Sequence, residues 1–84
     1  MDSTSRNFLE KLLQTPGVSG YEQPVQKVVR EYVESFSDEV STDVHGNVLA
    51  VVNAGAEPRL MLDGHCDQLG MLVSHIDDAW YLYF

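Results

Sequence analysis

Apolar residues recur at helical spacing in the first third of the chain and at strand spacing afterwards. Phe8, Leu9, Leu12 and Leu13 fall at i, i+1, i+4 and i+5 and make one apolar face. This predicts a first helix over about residues 5–14, capped by Ser3, Thr4 or Ser5. It ends at Thr15-Pro16-Gly17, because a proline pushes the preceding residue out of the helical region. Val25, Val28, Val29, Tyr32, Val33 and Phe36 then follow i, i+3, i+4, i+7, i+8 and i+11, an amphipathic second helix running to about Phe36. Ser19 and Glu22 have capping-box spacing at its start. Pro24 sits late for that register, which leaves Gly20 or Tyr21 as alternative caps. Lys27 with Glu31 and Arg30 with Glu34 are i,i+4 pairs along its polar side.

From Glu39 the period changes to two. Val40, Thr42 and Val44 alternate with Ser41 and Asp43 as in a half-exposed strand, and His45-Gly46-Asn47 reads as a turn. Val48–Val52 is a strand with little polarity on either face, and residues 53–58 form a loop. Leu60–Leu62, Leu69–Ile76 and Trp80–Phe84 read as further strands, the last two separated by Asp77-Asp78-Ala79. The pattern predicts an α/β fold in which two N-terminal helices pack on a mixed β-sheet. Strands apolar on both faces need cover on both sides, and only two helices are available. The five bulky residues Trp80–Phe84 sit where a sheet would continue. Both features predict that part of the domain lies outside these residues, or that self-association supplies the cover.

Composition narrows the function classes. Five Lys and Arg stand against 13 Asp and Glu, a net charge of -8 over 84 residues. No basic patch can neutralise phosphates, so neither nucleic acid nor an anionic membrane surface is expected as a partner. Cys66 is the only cysteine and has no partner for an internal disulfide. The N-terminus is polar and no apolar run approaches the ~20 residues needed to span a bilayer. A cytoplasmic location is the expectation. No Gly-x-Ser-x-Gly elbow or phosphate loop is present. Asp63 and Asp67 would lie ~13 Å apart along a strand, too far for a glycosidase pair without a bend at Gly64.

The one polar knot between apolar segments is Asp63-Gly64-His65-Cys66-Asp67-Gln68. On extended backbone, residues i and i+2 share a side, so His65 and Asp67 face the same way. Neutral imidazole is a common ligand for zinc-like metals, and a neighbouring carboxylate fixes its tautomer. A catalytic metal takes about three protein ligands, so this pair is at most a corner of such a site. Cys66 alternates away from His65 and is expected to pack as a small hydrophobe. His45 is expected to be a solvated turn residue and His75 a core-edge or surface histidine on a strand rather than a ligand.

The segment Leu62-Asp63-Gly64-His65-Cys66-Asp67-Gln68-Leu69-Gly70-Met71-Leu72-Val73 resembles the first metal-binding motif of the M42 family of metallo-aminopeptidases, usually His-Met-Asp-Glu-Ile-Gly followed by apolar residues. Pro16-Gly17-Val18-Ser19-Gly20-Tyr21-Glu22 resembles that family's Ser-Gly-aromatic-Glu turn. Asp43-Val44-His45-Gly46-Asn47-Val48 resembles its Asp-x-x-Gly-Asn hairpin, and Ser74–Asp78 the segment after the metal strand. Cys66 replaces the usual methionine, and Gln68 stands where glutamate is frequent.

The resemblance implies a dinuclear peptidase in which two divalent ions, zinc or cobalt, activate a water against the N-terminal peptide bond of a peptide substrate. It implies that His65 ligates one metal and that Asp67 orients His65 in the catalytic site. The remaining ligands and the base glutamate have no counterpart in this chain. Residues 1–84 would be the N-terminal part of the catalytic domain, without its remainder and without the dimerisation domain, and inactive in isolation. The complete enzyme would be a homo-oligomer. The competing expectation is a stand-alone, non-catalytic binding or assembly module that retains the peptidase scaffold.

Overall fold

Helix α1 spans Ser3–Gln14, in a computed structural model that describes residues 1–84. It starts two residues earlier than the apolar pattern predicts. Its cap is Asp2, whose carboxylate accepts the Ser5 amide at 2.7 Å, rather than any of the three hydroxyl residues after it. Thr15 leaves the helix in extended conformation ahead of Pro16, as expected.

Helix α2 spans Gln23–Glu34, with Glu22 as a cap that makes no side-chain capping bond. The Ser19–Glu22 capping box is not formed. Glu22 instead accepts the Gly20 amide at 2.6 Å, and the Ser19 hydroxyl turns to Asp67. The helix stops two residues short of Phe36, where Ser35 and Phe36 donate to Tyr32 and Val33 in a tightened last turn. Phe8 of α1 stacks on Tyr32 of α2 at 3.9 Å between ring centroids, and Lys11 reaches Glu31 at 3.6 Å. Both i,i+4 pairs on α2 are present, Lys27–Glu31 at 4.0 Å and Arg30–Glu34 at 3.0 Å.

Strands β1 (Glu39–Thr42) and β2 (Val48–Val51) form an antiparallel hairpin with Glu39 opposite Val51 and Thr42 opposite Val48. Asp43 builds the connecting turn. Its carboxylate takes the His45 and Asn47 amides, each at 2.9 Å, and the Asn47 side chain at 2.8 Å. Arg30 ties α2 to β1 through Thr42 Oγ1 at 2.7 Å.

The predicted single mixed sheet is not formed. Beyond β2 the apolar runs are mostly unpaired: Leu60–Leu62 is not a strand, and only β3 (His75–Ile76) and β4 (Leu82–Tyr83) pair, in a second antiparallel ladder. The strand-forming pattern is there, but a strand exists only by hydrogen bonding to another, and this stretch has no further partner. One parallel bridge, Val18 to Gln68, joins the two halves of the chain. The fold is thus two helices and two small antiparallel strand pairs. Its core is three residues, Gly17, Val25 and Val28. No helix is long and apolar enough to cross a membrane.

Candidate functional site

The site forms where the Pro16–Glu22 turn lies against Gly64–Gly70. Gly20 adopts a φ of 89° and the Tyr21 amide closes on the Val18 carbonyl at 2.8 Å. This is a type II turn with Ser19 at its second position and glycine where the left-handed conformation is required. The turn is fastened to the knot by the Gln68 amide, which donates to the Gly17 carbonyl at 2.6 Å. Close approach explains two glycines. A Cβ on Gly17 would meet Val25 Cγ1 at 3.0 Å, and one on Gly70 would meet Val18 Cγ2 at 2.7 Å.

This junction sets Ser19 beside Asp67, 48 positions away in sequence. Ser19 Oγ donates to Asp67 Oδ2, and the other oxygen, Oδ1, lies 2.9 Å from His65 Nδ1. The Ser19 hydrogen bond, then the His65 hydrogen bond, hold the Asp67 carboxyl below the usual carboxylate range. An ionised carboxylate only accepts, so Nδ1 of His65 is the donor of this bond. The His65 side chain is 87% exposed against 38% for Asp67. The ring therefore stands out from the surface with its free nitrogen toward solvent and its inner nitrogen held.

His65 and Asp67 do share a side and pair as their spacing predicts. Asp63 makes no hydrogen bond with either. Cys66 is half-buried; burial first, then the charges of Asp67 and Glu22, push its thiol pKa up. Partial burial fits the packing role of a small apolar side chain. His45 donates its amide to the Asp43 turn and has an exposed side chain. His75 is exposed on β3, its ring 5.7 Å from that of Tyr83. Nowhere do three or more His, Cys, Asp or Glu side chains converge as a metal cage would require. The residues present fit one ligand position, His65 Nε2, with its orienting carboxylate already in place. A groove of about 480 Å³ between α2 and the β1–β2 turn, lined in part by Gln26, Arg30, Asp43 and His45, does not include this pair.

Sequence reasoning missed Ser19 as a site residue. Its spacing to Glu22 pointed to a local helix cap, and nothing in the local pattern indicated a partner 48 residues on. The Ser-Gly-Tyr-Glu turn itself was the available signal.

No protein-family model matches the chain, and no solved structure matches it. Among curated proteins, it is 39% identical over 76 residues to the lysyl aminopeptidase of Pyrococcus furiosus, covering 89% of this chain and 22% of that protein. It is 33% identical over 78 residues to a protein of Acetivibrio thermocellus named "Putative aminopeptidase", covering 93% and 23%. It is 32% identical over 77 residues to "Putative aminopeptidase FrvX" of Escherichia coli, covering 92% and 21%. The chain thus spans about a fifth of the length of the curated relatives it matches.

Proposed function

We propose that this chain forms one corner of the active site of a metal-dependent aminopeptidase of the M42 type. The observation that carries the proposal is the Asp67–His65 pair: a histidine held at Nδ1 by an ionised carboxylate, with Nε2 free and turned outward. That is how a neighbouring carboxylate orients a metal-ligating histidine. The similarity to parts of proteins named aminopeptidases supplies the reaction class.

His65 would hold one of two divalent ions, zinc or cobalt. Such ions supply Lewis acidity toward a peptide carbonyl and a water nucleophile available at neutral pH. Asp67 keeps the ring in the Nδ1–H tautomer and raises the basicity of Nε2. Catalysis needs about three protein ligands per ion and a general base. Fewer than three candidate donors converge here, which supports reading residues 1–84 as inactive on their own. Peptides are the substrates, the cytoplasm the location, and a homo-oligomer the working form in this reading.

The test is metal content of the full natural protein. His65→Ala is expected to lose one ion of the pair with a collapse of aminoacyl-p-nitroanilide hydrolysis, whereas Asp67→Asn lowers activity with a smaller loss of metal. Unchanged metal content in His65→Ala sinks the assignment. Turnover by residues 1–84 alone with zinc or cobalt, abolished by His65→Ala, overturns the inactivity of the isolated segment. A stop codon directly after Phe84 in the gene favours the non-catalytic module instead.

A further inference from the structure

We propose that Ser19 is a positioning residue of this site: its hydroxyl locks the Asp67 carboxylate that orients His65. The proposal rests on the reading of His65 as a metal ligand. A carboxylate turns freely about its last torsion, because that rotor is broad and two-fold. A single hydrogen bond to His65 at one oxygen leaves the group free to swing. The Ser19 Oγ–H bond to the second oxygen, Oδ2, pins its plane from the opposite side. The donor is itself placed by backbone rather than by a flexible stem. Ser19 is at the second position of a turn closed by the Tyr21 amide on the Val18 carbonyl. The Gly20 amide, donated to Glu22 Oε1 at 2.6 Å, braces the same turn from α2. The Gln68 amide on the Gly17 carbonyl and the Val18–Gln68 bridge fix the turn to the segment carrying Asp67. The whole relay, Ser19 to Asp67 to His65, is therefore anchored at its far end to the start of α2.

A helix-cap role for Ser19 is excluded by the geometry, since the hydroxyl is spent on Asp67 and α2 begins with no side-chain cap. Its hydroxyl is directed instead to the carboxylate that holds His65.

The experiment compares wild type, Ser19→Ala, Ser19→Cys and Ser19→Thr in the full natural protein. The first readout needs no metal: nitrogen-15 NMR of the His65 ring in the metal-free protein. Wild type is expected to show one Nδ1–H tautomer with a sharp ring signal. Ser19→Ala and Ser19→Cys are expected to show a tautomer mixture and a broadened ring, and Ser19→Thr, which keeps the hydroxyl, the wild-type pattern. The second readout is zinc affinity by titration, expected to fall about 10- to 100-fold in Ser19→Ala and Ser19→Cys. A third is the kinetic split, with kcat reduced and KM little changed.

Wild-type His65 signals and zinc affinity in Ser19→Ala overturn the proposal. So does loss of Gln68 amide protection in both Ser19→Ala and Ser19→Cys, since the role is then structural. Retention of metal by His65→Ala overturns the metal-ligand reading instead, and the metal-free ring spectrum still judges the Ser19–Asp67–His65 relay separately.

Discussion

Single residues here owe their chemistry to what surrounds each charge. Asp67 is held ionised by Ser19 and His65, and that fixes the proton on His65 Nδ1. Cys66, between them in sequence, experiences the opposite: partial burial and two nearby carboxylates disfavour its thiolate. Alkylation of Cys66 by iodoacetamide at pH 8 is expected to be slower than that of a small free thiol, and to speed up when the chain is unfolded in urea. Equal rates before and after unfolding contradict the burial argument. Asp43 provides a pH test away from the site. The Asn47 side chain first, then the Asn47 and His45 amides, lower its pKa in the folded turn. A depressed carboxylate contributes stability that is present above its unfolded pKa and lost as pH falls through the folded value. The β1–β2 turn is therefore expected to stay closed at neutral and mildly acid pH. It should open only below the ordinary carboxylate range, seen as loss of the downfield His45 and Asn47 amide shifts. Asp43→Asn should flatten that transition.

Among the elements, α1, α2 and the β1–β2 hairpin form where local signals agree. A proline stop, a strict amphipathic period and an Asx turn each act within a few residues. Elements fail where pairing must come from afar, as at Leu60–Leu62 and most of Leu69–Ile76. The joint between the helical half and the site is a close backbone approach rather than a core. Gly70 leaves room for Val18, and a methyl group there would stand 2.7 Å from Val18 Cγ2. Gly70→Ala is expected to destabilise the full natural protein by about 1–3 kcal/mol in urea melts, the range for overpacking. Val18→Ala in the same chain should recover most of that loss, giving a coupling of about 1 kcal/mol in a double-mutant cycle. Additive effects would mean the two residues do not meet.

The whole chain is open. Its radius of gyration is 16.8 Å, where about 12 Å suits a compact domain of this length. It exposes 7277 Å² of surface, against about 5,000 Å² for a folded monomer of this mass. Leu60, Met61, Leu62, Leu69, Trp80 and Phe84 are all largely exposed. Residues 1–84 expressed alone are expected to bind the dye ANS strongly and to melt without a sharp transition. A cooperative melt with no dye binding would show that this surface closes on itself. The matched relatives are about five times longer than the matched segment, and in the proposed reading the apolar face meets the rest of such a protein.

Local spacing was enough to specify the two helices, the first hairpin and the His65–Asp67 pair, because each arises from spacings of four residues or fewer along the chain or, for the hairpin, from a turn that Asp43 builds locally. The sequence also carried the resemblance to a metallo-aminopeptidase motif. It offered Ser19 beside Gly20 and Tyr21 as a helix cap and joined the strands into one sheet, and the true partners in both cases are remote in sequence. Only the tertiary structure brought the Pro16–Glu22 turn against Gln68 and so set Ser19 on Asp67. The physical reason is reach: a hydroxyl or a strand edge takes whichever partner the fold brings within hydrogen-bonding distance. For Ser19 that partner lies 48 residues away.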